Sequence, residues 1–313
     1  MPTTTASCTF ETLLNINIDD LLNAWGLGQE RAGRRLLRAL ARPPSSEFAR
    51  QLCRFDDAVG STGLQAGGVL LCQRYTGGVR AAGLQHLPSQ GPTLILANHP
   101  GLCDTVALFA TIARPELRVI ALDRPFLRAL PHTSRLLYLL PDDAEGRAAT
   151  TYAVARYLRN GGAALTFPAG EIEPDPLVLA GAVESLDSWS ESIGSFTRLV
   201  PHAAIVVALV GGVYHPKVLR HPLTRLRRNR ADRELLAAAL QLAWRRYQGN
   251  TIDVVFAPPL SASALLAPDR DPARITRAVT DRARQVLDNW PTSWATVVPG
   301  CKPAQRKPIS LVT

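Results

Sequence analysis

One histidine and one aspartate have the types and the spacing for acid–base chemistry. His99 and Asp104 lie five residues apart, in a segment that begins with the apolar run Thr93–Ala97. On a regular helix this spacing would place them about 140° apart, so the two side chains can meet only across a turn. Pro100 and Gly101, between them, are turn-forming residues. A carboxylate bound to one imidazole nitrogen leaves the other free to accept a proton, so the pair predicts a general base.

Two further apolar runs carry similar turn chemistry. Residues 163–171 read Ala-Ala-Leu-Thr-Phe-Pro-Ala-Gly-Glu, and residues 199–206 read Leu-Val-Pro-His-Ala-Ala-Ile-Val. A histidine and aspartate pair is weak evidence by itself. Three apolar strands that are each bounded by a turn of this kind are much less expected by chance. Cys103 lies inside the first turn. We interpret it as a small apolar filler rather than a nucleophile, because no third catalytic partner accompanies it.

The elements that must position these residues change character near residue 78. Before it, apolar residues recur at helical spacing, which predicts a helical region. Pro43 and Pro44 are expected to divide that region into two helical groups, with Ser46 capping the second. After it, short apolar runs alternate with helical patterns, which predicts an α/β domain. The predicted strands are 79–83, 93–97, 118–122, 136–140, 163–167, 203–209 and 252–256, and the predicted helices are 103–113, 146–160, 189–199, 231–248 and 272–290.

With these motifs the chain resembles the glycerolipid acyltransferase family, which contains lysophosphatidic acid and glycerol-3-phosphate acyltransferases. The resemblance covers about residues 78–260, and its most specific part is the block formed by Asn98, His99 and Asp104. It implies a mixed, mostly parallel sheet flanked by helices, with His99 as the general base and Asp104 orienting it. It also implies that substrate is bound at the other motif positions, which are Asn98, Phe167, Pro168, Ala169, Gly170, Glu171 and Pro201.

The domain organisation that follows has three parts. They are an N-terminal helical region, an acyltransferase core, and a C-terminal helix with a tail, at residues 1–77, 78–262 and 263–313. The N-terminal helices have two interpretations. They cover a groove for the acyl chain, with Leu21, Leu22 and Trp25 along it, or they bind an unrelated partner.

The third motif departs from the family pattern. It is usually Phe-Pro-Glu-Gly-Thr-Arg, whereas residues 167–172 read Phe-Pro-Ala-Gly-Glu-Ile. In relatives that act on phosphorylated glycerol, arginines in the second and third motifs hold the acceptor phosphate. Here Glu171, Glu173 and Asp175 occupy that neighbourhood and would repel it, unless Arg124, Arg147 or Arg198 folds over them. The acceptor therefore stays open between lysophosphatidic acid and a lipid hydroxyl without a bare phosphate.

The mechanism that the resemblance implies needs no metal and no resident cofactor. His99 removes a proton from a hydroxyl of a lysophospholipid or glycerolipid-type acceptor, and that oxygen attacks the thioester of acyl-CoA or acyl carrier protein. Backbone N–H groups at Ala169 and Gly170 are the expected donors to the oxyanion, because glycine lets a ligand approach the main chain closely. The expected activity is O-acyl transfer in phospholipid biosynthesis.

The charge balance favours an acidic partner. The chain has 35 Lys and Arg against 26 Asp and Glu, a net charge of +9. A membrane surface or a nucleic acid fits this charge, and a coding bias toward arginine explains it equally well. Residues 215–233 concentrate basic side chains, which we expect to dock on anionic lipid headgroups. The longest apolar run, 203–214, is too short to span a bilayer, so we expect a cytoplasmic protein peripheral to the inner face of the membrane.

Two other functions remain open. A nucleic-acid-binding protein fits the basic charge, but the chain has neither zinc-ligand spacing nor an aromatic RNA-binding signature, so no nucleic-acid partner is expected. A lipid-binding relative without activity is the second, and the intact pair of His99 and Asp104 argues against it. A serine hydrolase would need a G-x-S-x-G turn, which the sequence lacks.

Overall fold

A mixed sheet lies at the centre of the computed structural model, which describes residues 9–27, 33–101, 103–294, 296–298 and 301. Its strands follow the order β4-β3-β5-β2-β6-β7-β1-β9, and β8 pairs with β6. Parallel pairing joins β2 to both β5 and β6, and joins β3 to both β4 and β5. The predicted fold class, a mixed and mostly parallel sheet flanked by helices, is confirmed. The strands are β1 Gly78–Ala82, β2 Thr93–Ala97, β3 Arg118–Leu122, β4 Leu137–Leu140, β5 Ala163–Thr166, β6 Ala204–Gly211, β7 Thr251–Phe256, β8 Leu260–Ser261 and β9 Thr296–Val297.

Helices cover both faces of this sheet. Within β2, Ile95 and Ala97 join one apolar cluster and Leu94 and Leu96 join the other, because successive side chains of a strand point to opposite faces. Helices α1 to α4 and α11 contribute to the first cluster, and α7, α9 and α13 contribute to the second. The helices are α1 Phe10–Ala24, α2 Arg34–Thr62, α3 Leu64–Tyr75, α4 Asp104–Thr111, α5 Pro125–Arg128, α6 Pro131–Ser134, α7 Ala144–Arg159, α8 Ala182–Ser185, α9 Ser192–Leu199, α10 Pro216–Leu219, α11 Arg230–Ala243, α12 Ala262–Leu266 and α13 Pro272–Asp288.

The predicted break at Pro43 and Pro44 is wrong. Both prolines lie inside the continuous helix α2, and Ser46 lies within it as well and is not a cap. A proline inside a helix costs about 3 kcal/mol. Each buried Leu, Phe or Val stabilises by about 1.5–3 kcal/mol, and Leu52, Phe55 and Val59 of α2 are all buried. Packing on the core therefore outweighs the local preference against helix.

The other predicted elements differ mainly at their ends. Strands 93–97 and 118–122 match the structure, and the helix predicted over 231–248 ends at Ala243. The short strands β8 and β9 have no counterpart in the prediction. The divisions at residues 77 and 262 stay predictions, and α1 to α3 share one apolar cluster with the sheet. In the described part of the chain, no helix has both the length and the apolar character that crossing a membrane requires.

Candidate active site

The turn after β2 joins His99 to Asp104. The His99 Nδ1 atom lies 2.7 Å from the Asp104 Oδ2 atom. Gly101 makes the chain reversal with a φ of 84°, a left-handed conformation that favours glycine, and its N–H donates to the same carboxylate oxygen at 2.8 Å. Asp104 is the first residue of α4 and is 1% exposed, and its other oxygen accepts from the main chain and hydroxyl of Thr105. The carboxylate is therefore held by donors on both oxygens.

The far side of the imidazole is open. The His99 side chain is 30% exposed, and no described residue hydrogen-bonds to its Nε2. Because a carboxylate oxygen accepts hydrogen bonds, Nδ1 donates its proton to Asp104 and Nε2 carries the lone pair in the neutral ring. Burial lowers the pKa of His99, but the charge and hydrogen bond of Asp104 and the charge of Glu173 outweigh it, so the pKa is raised above 6.5. This arrangement can take a proton from a bound hydroxyl.

The Asn98 side chain hydrogen-bonds this turn to the neighbouring strand β6. Its Nδ2 donates to the Val210 carbonyl at 2.9 Å, and its Oδ1 accepts from the Val210 N–H at 2.7 Å. The side-chain amide thus continues the parallel pairing of β2 with β6 beyond Ala97. Since Asn98 is 5% exposed and its polar atoms are used in this way, these contacts disfavour the predicted role in substrate binding.

The loop after β5 borders the imidazole. The Phe167 ring lies beside His99, with ring centroids 4.5 Å apart. The Pro168 carbonyl accepts from the Ser190 N–H, and the Gly170 N–H donates to the Phe167 carbonyl at 3.1 Å. The predicted oxyanion role of Gly170 therefore conflicts with the turn that its N–H closes. Ala169 keeps an N–H with no hydrogen-bond partner among the described residues.

Glu173 holds the main chain of His99 in place. Its Oε2 accepts from the His99 N–H at 2.8 Å, and its own N–H donates to the His99 carbonyl at 2.8 Å. The other oxygen accepts from the Trp189 indole at 3.0 Å and from the Ser185 hydroxyl at 3.2 Å. Burial raises the pKa of Glu173, against the lowering effect of these donors. Glu173 is 1% exposed, so it does not face a substrate.

Asp175 is also turned inward. Its Oδ1 accepts from the N–H groups of Gly212 and Leu177, and its Oδ2 accepts from the Tyr214 N–H. Asp175 is fully buried, and burial raises its pKa. The expectation that three acids face the acceptor is therefore wrong, since only Glu171 is exposed. The other two carboxylates bind main-chain donors.

The two predicted arginines lie at different strand ends. Arg124 follows β3, is exposed, and has no ion pair or hydrogen bond from its side chain to another described residue. Arg147 follows β4, donates to the Pro141 carbonyl at 2.9 Å and lies 4.0 Å from Asp142. Given the strand order and a spacing of about 4.8 Å per strand, Arg124 lies one strand nearer to β2 than Arg147 does.

Pro201 lies near the amino ends of β2 and β6, whereas His99 lies at the carboxyl end of β2. It precedes β6, which is parallel to β2 in a register that pairs Thr93 with Ala204. Pro201 therefore lies near the start of β2, whereas His99 follows its end, and five strand residues span about 17 Å. This placement separates Pro201 from the site, in contrast to the prediction that it binds substrate.

The sequence pattern places Glu173 and Asp175 in the neighbourhood of the third motif but does not predict their inward-facing roles, and it does not identify Tyr214. Glu173 precedes Pro174 and Asp175 precedes Pro176, and a residue before proline favours extended backbone, in which alternate side chains share one side. This signal could have indicated that the two acids act together. Tyr214 is 3% exposed, and its hydroxyl lies 3.8 Å from where a Cβ on Gly101 would be. No comparable sequence signal marks it.

Cys103 is a poor nucleophile in this structure. It is 6% exposed, and burial together with the charge of Asp104 raises the pKa of its thiol to about 12. The thiol therefore stays protonated near neutral pH. Within the described residues, no three His, Cys, Asp or Glu side chains are grouped so that they could hold a metal ion.

An apolar cavity of about 300 Å³ lies between the N-terminal helices and α11. Leu21 lines it, as one interpretation of the N-terminal region predicts, but Leu22 is buried in the core and Trp25 is exposed on the surface. Phe126, two residues after Arg124, and Ala239 of α11 both line it. The volume is at the lower end of the range for small-molecule sites.

Comparisons with known proteins find similarity among solved structures. A scan against protein-family models finds no match, and a search of curated proteins also finds none. Among solved structures, the chain is similar to the 1-acyl-sn-glycerophosphate (LPA) acyltransferase PlsC from Thermotoga maritima, with a TM-score of 0.46 and 15% sequence identity. The likeness covers 91% of this chain and 95% of that chain. The chemistry of this chain must therefore be argued from its own side chains.

Proposed function

We propose that the protein is an O-acyltransferase that moves a fatty acyl group from a thioester to a hydroxyl of a lysophospholipid or glycerolipid-type acceptor. The observation that carries this proposal is the contact of His99 Nδ1 with the buried Asp104, which leaves Nε2 open toward the carboxyl edge of the sheet. No resident cofactor enters the reaction. The donor is acyl-CoA or acyl carrier protein.

The reaction proceeds in two steps, addition of the acceptor oxygen and loss of the thiolate. His99 Nε2 takes the hydroxyl proton while the acceptor oxygen bonds to the thioester carbonyl carbon. The carbon–sulfur bond then breaks, and the leaving thiolate takes the proton back from the imidazolium. Asp104 stabilises that imidazolium. The Ala169 N–H is the donor that we assign to the oxyanion, because the Gly170 N–H is already used.

The acceptor headgroup is assigned to Arg124. A guanidinium suits a phosphate oxygen pair, and Arg124 is the exposed arginine that follows the strand next to β5. Because Glu173 and Asp175 are buried and accept hydrogen bonds from main-chain N–H groups, their carboxylates do not face an acceptor phosphate. Lysophosphatidic acid is therefore the first acceptor to test.

The acyl chain is assigned to the cavity beneath the N-terminal helices. Its lining is mainly apolar, and it includes Phe126, which lies two residues after Arg124 in the sequence. Ala239→Phe should fill part of the cavity and shift the preferred donor toward shorter chains. Ala231→Phe makes the same change at an exposed position of α11 and should leave the preference unchanged. Identical chain-length profiles for the two variants would remove the cavity from the proposal.

The experiment that tests the activity uses labelled acyl-CoA and a panel of lysolipids with the full chain. Wild-type protein should release free CoA and form one diacyl product. His99→Ala should lower the rate by about 100-fold to 10,000-fold. Far-UV circular dichroism and the melting temperature verify that the variant folds. No product with any acceptor, or wild-type turnover in the variant, would overturn the proposal.

A further inference from the structure

Two segments that are separate in the sequence pack together and form one surface. Residues 215–226 follow β6, and residues 244–247 follow α11. Their rings are in contact, with the His221 centroid 5.3 Å from that of Trp244 and 6.2 Å from that of Tyr247. We call residues 215–226 together with 244–247 the Trp244 surface. Packing of the rings holds the two segments together.

The Trp244 surface is basic. Its cationic side chains are all exposed, and neither segment contains Asp or Glu. The Arg246 guanidinium lies 4.7 Å from the ring centroids of both Trp244 and Tyr247, so it is held above the rings rather than paired with a carboxylate. The exposed cations are Lys217, Arg220, Arg225, Arg245 and Arg246.

The next stretch of sequence is different. Arg227 pairs with Asp232 at 3.0 Å, and Arg230 pairs with Glu234 at 2.6 Å. Arg233 donates to the Arg227 carbonyl. The basic segment expected over residues 215–233 is thus partly neutralised in its second half, and the uncompensated charge lies in the first half and beside Trp244.

Apolar side chains protrude from the same surface. Leu226 is 76% exposed, Leu223 is 41% exposed and Trp244 is 37% exposed. Tryptophan among basic residues is typical of the boundary between lipid headgroups and acyl chains, and exposed leucines can enter that boundary. A nucleic acid would be attracted by the charge alone and would give the exposed Leu226 no apolar partner.

The surface is near the candidate active site. His215 follows Tyr214 directly, and the Tyr214 hydroxyl lies 3.8 Å from where a Cβ on Gly101 would be. Gly101 belongs to the turn that joins His99 to Asp104. A planar partner seated on the Trp244 surface therefore approaches the edge of the sheet at which the imidazole is open.

We propose that the Trp244 surface docks the protein on an anionic lipid bilayer, with the cations on the headgroups and Leu226 and Trp244 inserted at the boundary. Charge attraction and apolar insertion both contribute, so binding needs anionic lipid and weakens with salt. The proposal goes beyond acyl transfer, and it can fail while the acyltransferase activity stands.

The test measures co-sedimentation of the full chain with phosphatidylcholine vesicles and with mixed phosphatidylcholine and phosphatidylglycerol vesicles. Wild-type protein should bind the mixed vesicles and be released by high salt. The double variant Arg220→Glu with Arg225→Glu should bind them at least about tenfold more weakly. The matched control is Arg270→Glu with Arg277→Glu, two exposed arginines before and within α13, on the other face of the sheet, and it should bind like wild type.

A second measurement reports on insertion. Brominated lipids should quench wild-type tryptophan fluorescence more than that of Trp244→Phe, and Leu226→Ser should weaken binding to mixed vesicles. Equal binding of wild type to both vesicle types, equal loss in both charge-reversal pairs, or binding of the wild type to nucleic acid but not to vesicles would overturn the proposal. His99→Ala should bind vesicles normally, which separates this inference from the proposed activity.

Discussion

The loops after β2 and β5 begin at the carboxyl ends of neighbouring parallel strands, but their acidic residues have different roles. After β2, the buried Asp104 orients an imidazole that stays 30% exposed. After β5, the buried Glu173 carboxylate accepts a hydrogen bond from the His99 N–H, and Glu171 is the acid of this loop that faces solvent. The charge that a site presents is therefore decided by which main-chain donors lie within reach of each carboxylate, rather than by the number of acids in the sequence.

Removal of the negative charge from the first loop should have the largest effect. Asp104→Asn keeps the size of the side chain but supplies an amide where Nδ1 and two main-chain N–H groups need an acceptor. We expect the rate of acyl transfer to fall by about 1,000-fold, since loss of the orienting carboxylate disfavours both the useful tautomer and the imidazolium. Steady-state kinetics with a melting curve measure this, and a loss below tenfold would contradict the assigned role.

Loss of the hydrogen bond between the Glu173 carboxylate and the His99 N–H should have the next largest effect. In Glu173→Gln an amide NH₂ replaces one carboxylate oxygen, so either the His99 N–H or the donors of Trp189 and Ser185 lose their acceptor. The change also removes a negative charge that raises the pKa of His99. We expect a rate loss of about tenfold and a rate profile whose acid limb moves to lower pH. A rate loss without any shift of the limb would mean that Glu173 only supports the fold.

Replacement of the exposed Arg124 should have a smaller effect, mainly on binding of the acceptor. If Arg124 holds the acceptor phosphate, Arg124→Ala should raise the KM for lysophosphatidic acid by about tenfold and change kcat less. Arg147→Ala is the matched control, because Arg147 already has partners at Pro141 and Asp142. Equal effects of the two changes, or an unchanged KM in Arg124→Ala, would leave the headgroup without this contact.

The smallest effect belongs to the one acid of the second loop that faces solvent. Glu171→Gln should change the rate by less than about twofold, because an exposed carboxylate is screened by water and salt. It is also the control for Glu173→Gln, with the same chemical change two residues earlier in the chain. A change in KM that depends on the charge of the acceptor would instead place Glu171 beside the headgroup.

Much of the sheet follows from sequence pattern alone. The runs at 93–97 and 118–122 are apolar, short and bounded by turn residues, and they are strands with the expected ends. The contact of His99 with Asp104 also follows, because a spacing of five residues with Pro100 and Gly101 between can close only as a turn. Local residue types contain enough information at these places.

Other features depend on contacts that sequence does not show. The prolines of α2 are tolerated because residues on both sides of them pack on the same core. The Gly170 N–H is used by a turn whose closure depends on the loop conformation. Glu173 lies 74 residues from His99 in sequence, and only the parallel pairing of β2 with β5 brings the two loops together.

The pH dependence of kcat/KM in wild type and Asp104→Asn tests whether His99 is a general base whose pKa is set by Asp104. The raised pKa of His99 means that the neutral base forms only as pH rises through a value above 6.5. The same shift stabilises the folded protein below pH 6.5, a contribution that is lost as pH rises through the folded-state pKa. We expect the acid limb of the wild-type profile above pH 6.5 and at a lower pH in Asp104→Asn. A limb at the same pH in both proteins would contradict this expectation.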